Sequence, residues 1–247
     1  MNKIKNLFVI ILFALVAFSC SDILDKGPLD KYSENDVWKS TDLTQAFIYT
    51  ALANATNMMV WKDNWTDNEA IMEDGRDVNA ELIDRYYDAG WNKYEDIRRC
   101  NMVLARVPEA SFTNAEKANF IARAMIYFTR ARLFGKLMLV KELIDPEADM
   151  KFPRTATVKE TYDFILNDLR EAAPDLPVDA PSGALSRGVA YALLGEVALH
   201  GAAYIENGQE EYYRIAAKAC EDLFALDKYS LDGNYAGMFN DYDHSLA

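Results

Sequence analysis

From residue 41 onward the apolar residues of this chain recur at intervals of three and four, and no stretch alternates. Leu43, Phe47, Ile48, Ala51, Leu52, Ala55 and Met59 draw one stripe, the spacing that stacks side chains on one face of an α-helix. A half-buried strand would need a period of two. A second helical pattern covers Asn79 to Val107, with Gly90 as a break and Pro108 as the stop. "TNAE" at 113–116 reads as a capping box in which Thr113 caps and Glu116 reaches back, opening a helix expected to run to Leu139. "TVKE" at 157–160 opens another, carried by Val158, Tyr162, Ile165, Leu166, Leu169 and Ala173 and closed by Pro174 and Pro177. After the loop "PVDAPSGALS", helices are predicted over Arg187–Tyr204 and Gln209–Leu226. Residues 60–78, "VWKDNWTDNEAIMEDGRDV", have no clear period and are expected to form a long loop. The fold class is all-α, with six or seven helices joined by short loops.

The N-terminus follows a different rule. Lys3 and Lys5 precede an uncharged apolar run from Leu7 to Phe18 that stops at Ser19-Cys20. Twelve residues are too few to span a bilayer, which takes about 20, but they suit the apolar core of a secretory signal. A cysteine directly after a small residue resembles a bacterial lipoprotein signal, so residues 1–19 are expected to be removed and Cys20 acylated. Several acyl chains then tether the protein stably without a membrane span. Residues 20–40 show no helical period, are broken early by Gly27-Pro28, and read as a tether and extended segment. The expected domain covers 41–247.

Removal of the leader leaves 228 residues and takes the net charge from −13 to −15. An acidic surface disfavours nucleic acid and anionic membrane faces, but not a neutral ligand such as a sugar. With Cys20 set aside, Cys100 and Cys220 remain. They could pair in an oxidising compartment; each also lies in a predicted helix among apolar neighbours, where a free cysteine packs as a small hydrophobe. The free, buried state is the expectation.

The helices come in pairs. Tyr191-x-x-Leu194-Gly195-x-x-Ala198 has the spacing of the first helix of a tetratricopeptide unit. Gly195 would let a second helix approach closely while Tyr191 and Leu194 fill the gap. That second helix presents Ala216, Ala217 and Ala219. Ala124-x-x-Tyr127-Phe128-x-x-Ala131-x-x-Phe134-Gly135 is a similar small-and-aromatic helix.

In this order the motifs resemble the N-terminal half of a SusD/RagB-type outer-membrane lipoprotein of Bacteroidetes. The resemblance rests on "SCSDILDKGPLDKYSENDVWKS", on "WNKYEDIRRCNMVLARV" with Trp91, Tyr94, Ile97, Cys100 and Asn101, on "ARAMIYFTRARLFGKLMLV", and on "GALSRGVAYALLGEVALHGAAY". It implies stacked tetratricopeptide-like helix pairs and a surface-exposed, lipid-anchored position at the outer membrane. It further implies capture of glycans or other nutrients for a SusC-type TonB-dependent transporter, with no catalysis and no cofactor. "KLMLV" departs from the family's Gly-x-(Val/Ile)-Pro-Leu segment. The chain also stops at "NDYDHSLA", short of a full member whose second half supplies much of the ligand site.

The residues alone nominate no chemistry. His200 and His244 lack metal-ligand spacing, no nucleophile–histidine–acid set or phosphate loop is present, and Glu73-Asp74 reads as solvated charge. Trp38 and Trp91 sit beside helices and read as packing residues. Trp61 and Trp65 lie in the polar loop and have two readings. They pin the loop to the helices, or they offer indole faces to a sugar ring with Asp67, Asp74 and Arg76 supplying hydrogen bonds. The alternatives to a nutrient-binding lipoprotein are a tetratricopeptide scaffold for a protein partner and, third, a lipid-anchored hydrolase.

Overall fold

The computed structural model describes residues 32, 34–57, 94–106, 113–145, 151–181, 183–231 and 233–234. Among them the chain is helical, as the periodicity predicts: α1 Thr41–Asn57, α2 Glu95–Arg106, α3 Thr113–Phe134, α4 Val158–Ala172, α5 Arg187–Tyr204 and α6 Gln209–Phe224. No strand forms among the described residues, only an isolated antiparallel bridge between Met138 and Arg154. Residues 1–47 and 48–247 make two compact units, and the boundary falls within α1.

In the first unit, Glu34–Val37 forms one helical turn where the sequence predicts extended chain. Ser40 then caps α1, its Oγ accepting from the Leu43 amide at 3.4 Å. Thr44 Oγ1 donates to the Val37 carbonyl at 2.8 Å. Trp38 is a packing residue, set edge-on against Phe47 at 5.5 Å.

In the second unit, helices adjacent in sequence pack on one another: α2 on α3, α3 on α4, α4 on α5, and α5 on α6 with the most extensive seam. Stacked pairs of this kind depend on their neighbours. The buried set shows why each helix takes its place. On α4, Tyr162, Ile165, Leu166, Leu169 and Ala172 are buried, a single stripe that makes it a half-covered helix. On α3, every residue from Ile121 to Phe128 is buried, so this helix is enclosed on all sides. The α4 capping box forms with a shift. Thr157 Oγ1 accepts from the Glu160 amide at 3.1 Å, but the Glu160 carboxylate reaches back to the Ala156 amide rather than to Thr157.

Helix α3 ends at Phe134, not at Leu139. Gly135 adopts a φ of +67°, the left-handed C′ position that stops helices and favours glycine. Residues 136–145 instead form a strap outside any helix, paired to the returning chain, among the described residues, by the Met138–Arg154 bridge and a 2.9 Å bond from the Thr155 amide to the Leu137 carbonyl. Helix α6 ends at Phe224, two residues early. Ala216 and Ala219 are buried in the α5–α6 seam as predicted, but Ala217 faces solvent. Both cysteines are free; Cys100 is buried, whereas Cys220 is exposed. Burial pushes the Cys100 thiol up to about 12, which leaves it inert.

The strap is held by side chains. Arg123, buried on α3, donates through Nε and Nη2 to both oxygens of Asp168 on α4, at 2.7 and 2.8 Å. Its Nη1 donates to Asn101 Oδ1 on α2 and to the Lys141 carbonyl on the strap, each at 2.7 Å. The Phe120 and Phe164 rings lie 5.3 and 5.2 Å from the guanidinium carbon. Asn101 Nδ2 donates to the Val140 and Glu142 carbonyls at 3.0 Å. The Val140 amide donates to Tyr127 Oη at 2.7 Å. Burial pushes Asp168 above the usual carboxylate range, and Arg123 opposes the shift.

Two outcomes test this account. A β-carbon at Gly195 would lie 3.5 Å from Cys220 Sγ and 3.8 Å from Ala219 Cβ, an ordinary contact. One at Gly201 would lie 2.8 Å from both the Tyr162 and Tyr212 rings. Gly195→Ala is therefore expected to hold or raise the melting temperature through helix propensity. Gly201→Ala and Gly195→Leu should lower stability by about 1–3 kcal/mol through overpacking; thermal unfolding of all three decides it. Arg123→Met strands the Asp168 carboxylate and should cost about 3–5 kcal/mol in chemical denaturation. Combining it with Asp168→Leu should recover part of that loss, and a double variant no more stable than Arg123→Met would contradict the pairing.

Candidate functional site

The strap and α2 enclose a cleft of about 680 Å³, within the range of small-molecule sites. Tyr94, Met138, Val140, Leu143, Ile144 and Phe152 wall it. Tyr94 enters at the start of α2. The next four of these come from the strap, and Phe152 comes from the returning chain. The network around Arg123 sets the position of this wall, because Asn101 and Tyr127 bind the strap backbone at Val140 and Glu142.

The same bonds limit the chemistry of the cleft. Asn101 lines it, but both amide hydrogens are spent on the strap and its oxygen accepts from Arg123. The remaining charged groups, Glu95, Arg98 and Glu142, stand at the rim. Glu95 pairs with Arg99 at 2.5 Å, and Arg98 makes a long 3.5 Å bond to the Ile144 carbonyl. Burial raises the Tyr94 phenol and, further, that of Tyr127, so both remain neutral. The cleft thus offers aromatic and aliphatic walls, with exposed Glu95, Glu142 and Arg98 as its charged groups. It can stack one apolar face of a ligand, and it has little with which to bond a ligand polar on every side.

A second arrangement lies along α4 and α5. Tyr162, His200 and Tyr204 form a near-parallel pile: Tyr162 and His200 are 6.0 Å apart at 21°, His200 and Tyr204 4.8 Å apart at 23°. It runs from the core, where Tyr162 is 1% exposed, to the surface, where Tyr204 is 63% exposed. A 2.9 Å hydrogen bond joins Tyr162 Oη to His200 Nδ1. The Phe128 ring meets His200 edge-on at 5.5 Å. Burial and the nearby Arg132 charge hold the imidazole below its ordinary value, so it is a neutral ring at pH 7.

Cys20, Trp61, Trp65, Asp67, Asp74 and Arg76, the residues singled out by the sequence, lie outside the described residues, as do Trp91, Glu73 and His244. Of the motif residues that are described, Asn101, Arg123 and Tyr127 become the clamps of the strap. Sequence reading missed the cleft because it continued α3 through the strap. The signal available was Gly135 directly after Phe134, a helix stop. Among the described residues no cluster of His, Cys, Asp or Glu could hold a metal ion, and no helix is long and apolar enough to cross a membrane.

Comparison with known proteins follows the fold. A SusD-like protein of Formosa agariphila is 25% identical, over 95% of this chain and 48% of its own length. The chain spans about half the length of the curated relatives it matches. Among solved structures, a SusD-like protein of Bacteroides fragilis superposes with a TM-score of 0.63 at 23% identity, covering 83% of this chain and 42% of that one. A laminarin-binding SusD-like protein superposes with a TM-score of 0.53 at 23% identity, covering 62% and 34%. At these identities the structural likeness shows the fold alone. The family match extends over residues 19–199, most of the chain and every described helix through most of α5, and on that match the chain belongs to the SusD-like family, described as starch-binding and associating with the outer membrane.

Proposed function

We propose that this chain is the helical scaffold of a glycan-capturing lipoprotein exposed on the outer membrane. In this reading residues 1–19 are a cleaved leader and Cys20 carries the lipid. A tether leads from Cys20 to the helical turn at Glu34, and 41–247 form the helical domain. The captured oligosaccharides pass to a SusC-type TonB-dependent transporter. The observation that carries the reading is the family match over residues 19–199. It begins where the apolar run ends, beside Cys20, and its description joins starch binding to the outer membrane. A structural neighbour that binds laminarin supports a neutral glycan as the ligand class, and so does the net charge of −13, which does not oppose an uncharged sugar. The proposed role needs no catalysis and no cofactor: the protein binds and hands over.

Sugar binding draws on groups that converge from several segments. The cleft has apolar walls but few free donors, so hydrogen bonds to hydroxyls must come from elsewhere. The loop carrying Trp61, Trp65, Asp67, Asp74 and Arg76 is proposed as one source. Full-length relatives have about as much chain again, which is proposed as the other.

Two measurements follow. Cys20→Ala is expected to move the protein from the membrane to the soluble fraction or to block its maturation; unchanged membrane association with an unmodified residue 20 would sink the anchor. In calorimetry with starch-, laminarin- and xyloglucan-derived oligosaccharides, the 247-residue chain is expected to bind more weakly than a form extended by the second half that full-length relatives carry. Combined Trp61→Ala and Trp65→Ala should weaken that binding further. Equal affinity of the two lengths would place the whole site within these residues, and indifference to both tryptophans would remove that loop from it.

A further inference from the structure

We propose that the outer end of α5 is a sugar-stacking ledge, with the open face of Tyr204 as its platform and the Arg132–Glu196 pair as its polar edge. The proposal rests on reading the chain as a carbohydrate binder. It assigns part of that binding to the scaffold itself.

The geometry is that of a prepared surface. An exposed tyrosine on a helix normally samples several rotamers, and fixing it on a ligand costs side-chain entropy. Tyr204 is already fixed from behind. His200 stacks on it at 4.8 Å; His200 is held in turn by the 2.9 Å bond to Tyr162 and by the edge of Phe128. Tyr162 is seated where Gly201 leaves room for its ring. One face of Tyr204 is thereby covered, while the residue as a whole stays 63% exposed. An aromatic ring rigid on one side and open on the other suits the apolar face of a pyranose, which presents C–H groups to the π-cloud.

The surroundings match the rest of a sugar. Glu196, His200 and Tyr204 follow at intervals of four along one face of α5, about 12 Å from end to end at 1.5 Å per residue. That span suits a short oligosaccharide better than a single ring. Arg132 reaches across from α3 to Glu196 at 3.8 Å. Glu196, 52% exposed, offers carboxylate acceptors to hydroxyl groups, and Arg132, 12% exposed and set over the Phe128 ring, holds that carboxylate in place, the polar complement that fixes orientation in a stacking site.

The test is calorimetry of the 247-residue chain with starch-derived and laminarin-derived oligosaccharides, comparing wild type, Tyr204→Ala, Tyr204→Trp and Tyr213→Ala. Tyr213 is 52% exposed on α6 and serves as a control for loss of any surface tyrosine. Tyr204→Ala is expected to weaken binding about fivefold to tenfold. Tyr204→Trp should retain or improve it, and Tyr213→Ala should leave it unchanged. Circular dichroism of Tyr204→Ala checks that the helices persist; an exposed helix-end residue should not disturb them. If wild type binds and Tyr204→Ala binds equally well, the ledge is wrong while the carbohydrate reading stands. If wild type binds none of these oligosaccharides, the ledge is wrong, because it assigns binding to the scaffold itself; the carbohydrate reading falls only if a form extended by the second half that full-length relatives carry also binds none.

Discussion

One buried guanidinium organises the second unit. Arg123 sits on the enclosed helix α3 and bonds to Asp168 on α4, to Asn101 on α2 and to the strap at Lys141. A charge taken out of water costs several kcal/mol, and good geometry must offset that cost. Here the geometry is good: the carboxylate is gripped at both oxygens and two aromatic rings flank the plane. The consequence is positional. Three helices and a segment without regular hydrogen bonding are referred to a single rigid fork, which lysine could not reproduce.

The strap shows why such a fork is needed. Extended chain outside a sheet must find partners for its amides and carbonyls. The strap has one isolated bridge and one further backbone bond, so Asn101, Arg123 and Tyr127 supply partners at Val140, Lys141 and Glu142. In doing so they use up their own hydrogen-bonding capacity. The cleft wall is therefore well fixed and at the same time poor in free donors. Rigidity and recognition compete for the same groups, and here rigidity has taken them.

The helical stack solves a different problem. Each helix packs on its neighbours in sequence, so close approach is required seam by seam. At the α4–α5–α6 junction the limit is Gly201, whose missing β-carbon makes room for two tyrosine rings. One of those rings, Tyr162, carries the pile through His200 to Tyr204 at the surface. Packing in the core thus sets the orientation of an aromatic at the rim, which links a structural glycine to the proposed sugar contact without any direct interaction between them.

The helices themselves were legible in the sequence. Period, capping boxes and prolines placed α4, α5 and the start of α3, because these are local signals whose physics is contained within one turn of chain. The Gly195 seam and the buried faces of Ala216 and Ala219 were equally local. Other features needed the tertiary structure. "KLMLV" is apolar and helix-compatible, and only Asn101, Arg123 and Tyr127, 13 to 41 residues away on α2 and α3, hold the strap out of a helix. Ala217 faces outward, and Cys220 stays exposed although its Sγ borders Gly195, because the seam is narrower than the apolar stripe that sequence suggests. The motif residues Asn101, Arg123 and Tyr127 could be quoted as a pattern, but their meeting on one strap could not. The sequence by itself determined where α4, α5 and the start of α3 lie and the family the motifs spell out. The tertiary structure alone decided where the cleft lies and which ring reaches solvent, since both depend on distances between residues far apart in the chain, which no local period encodes.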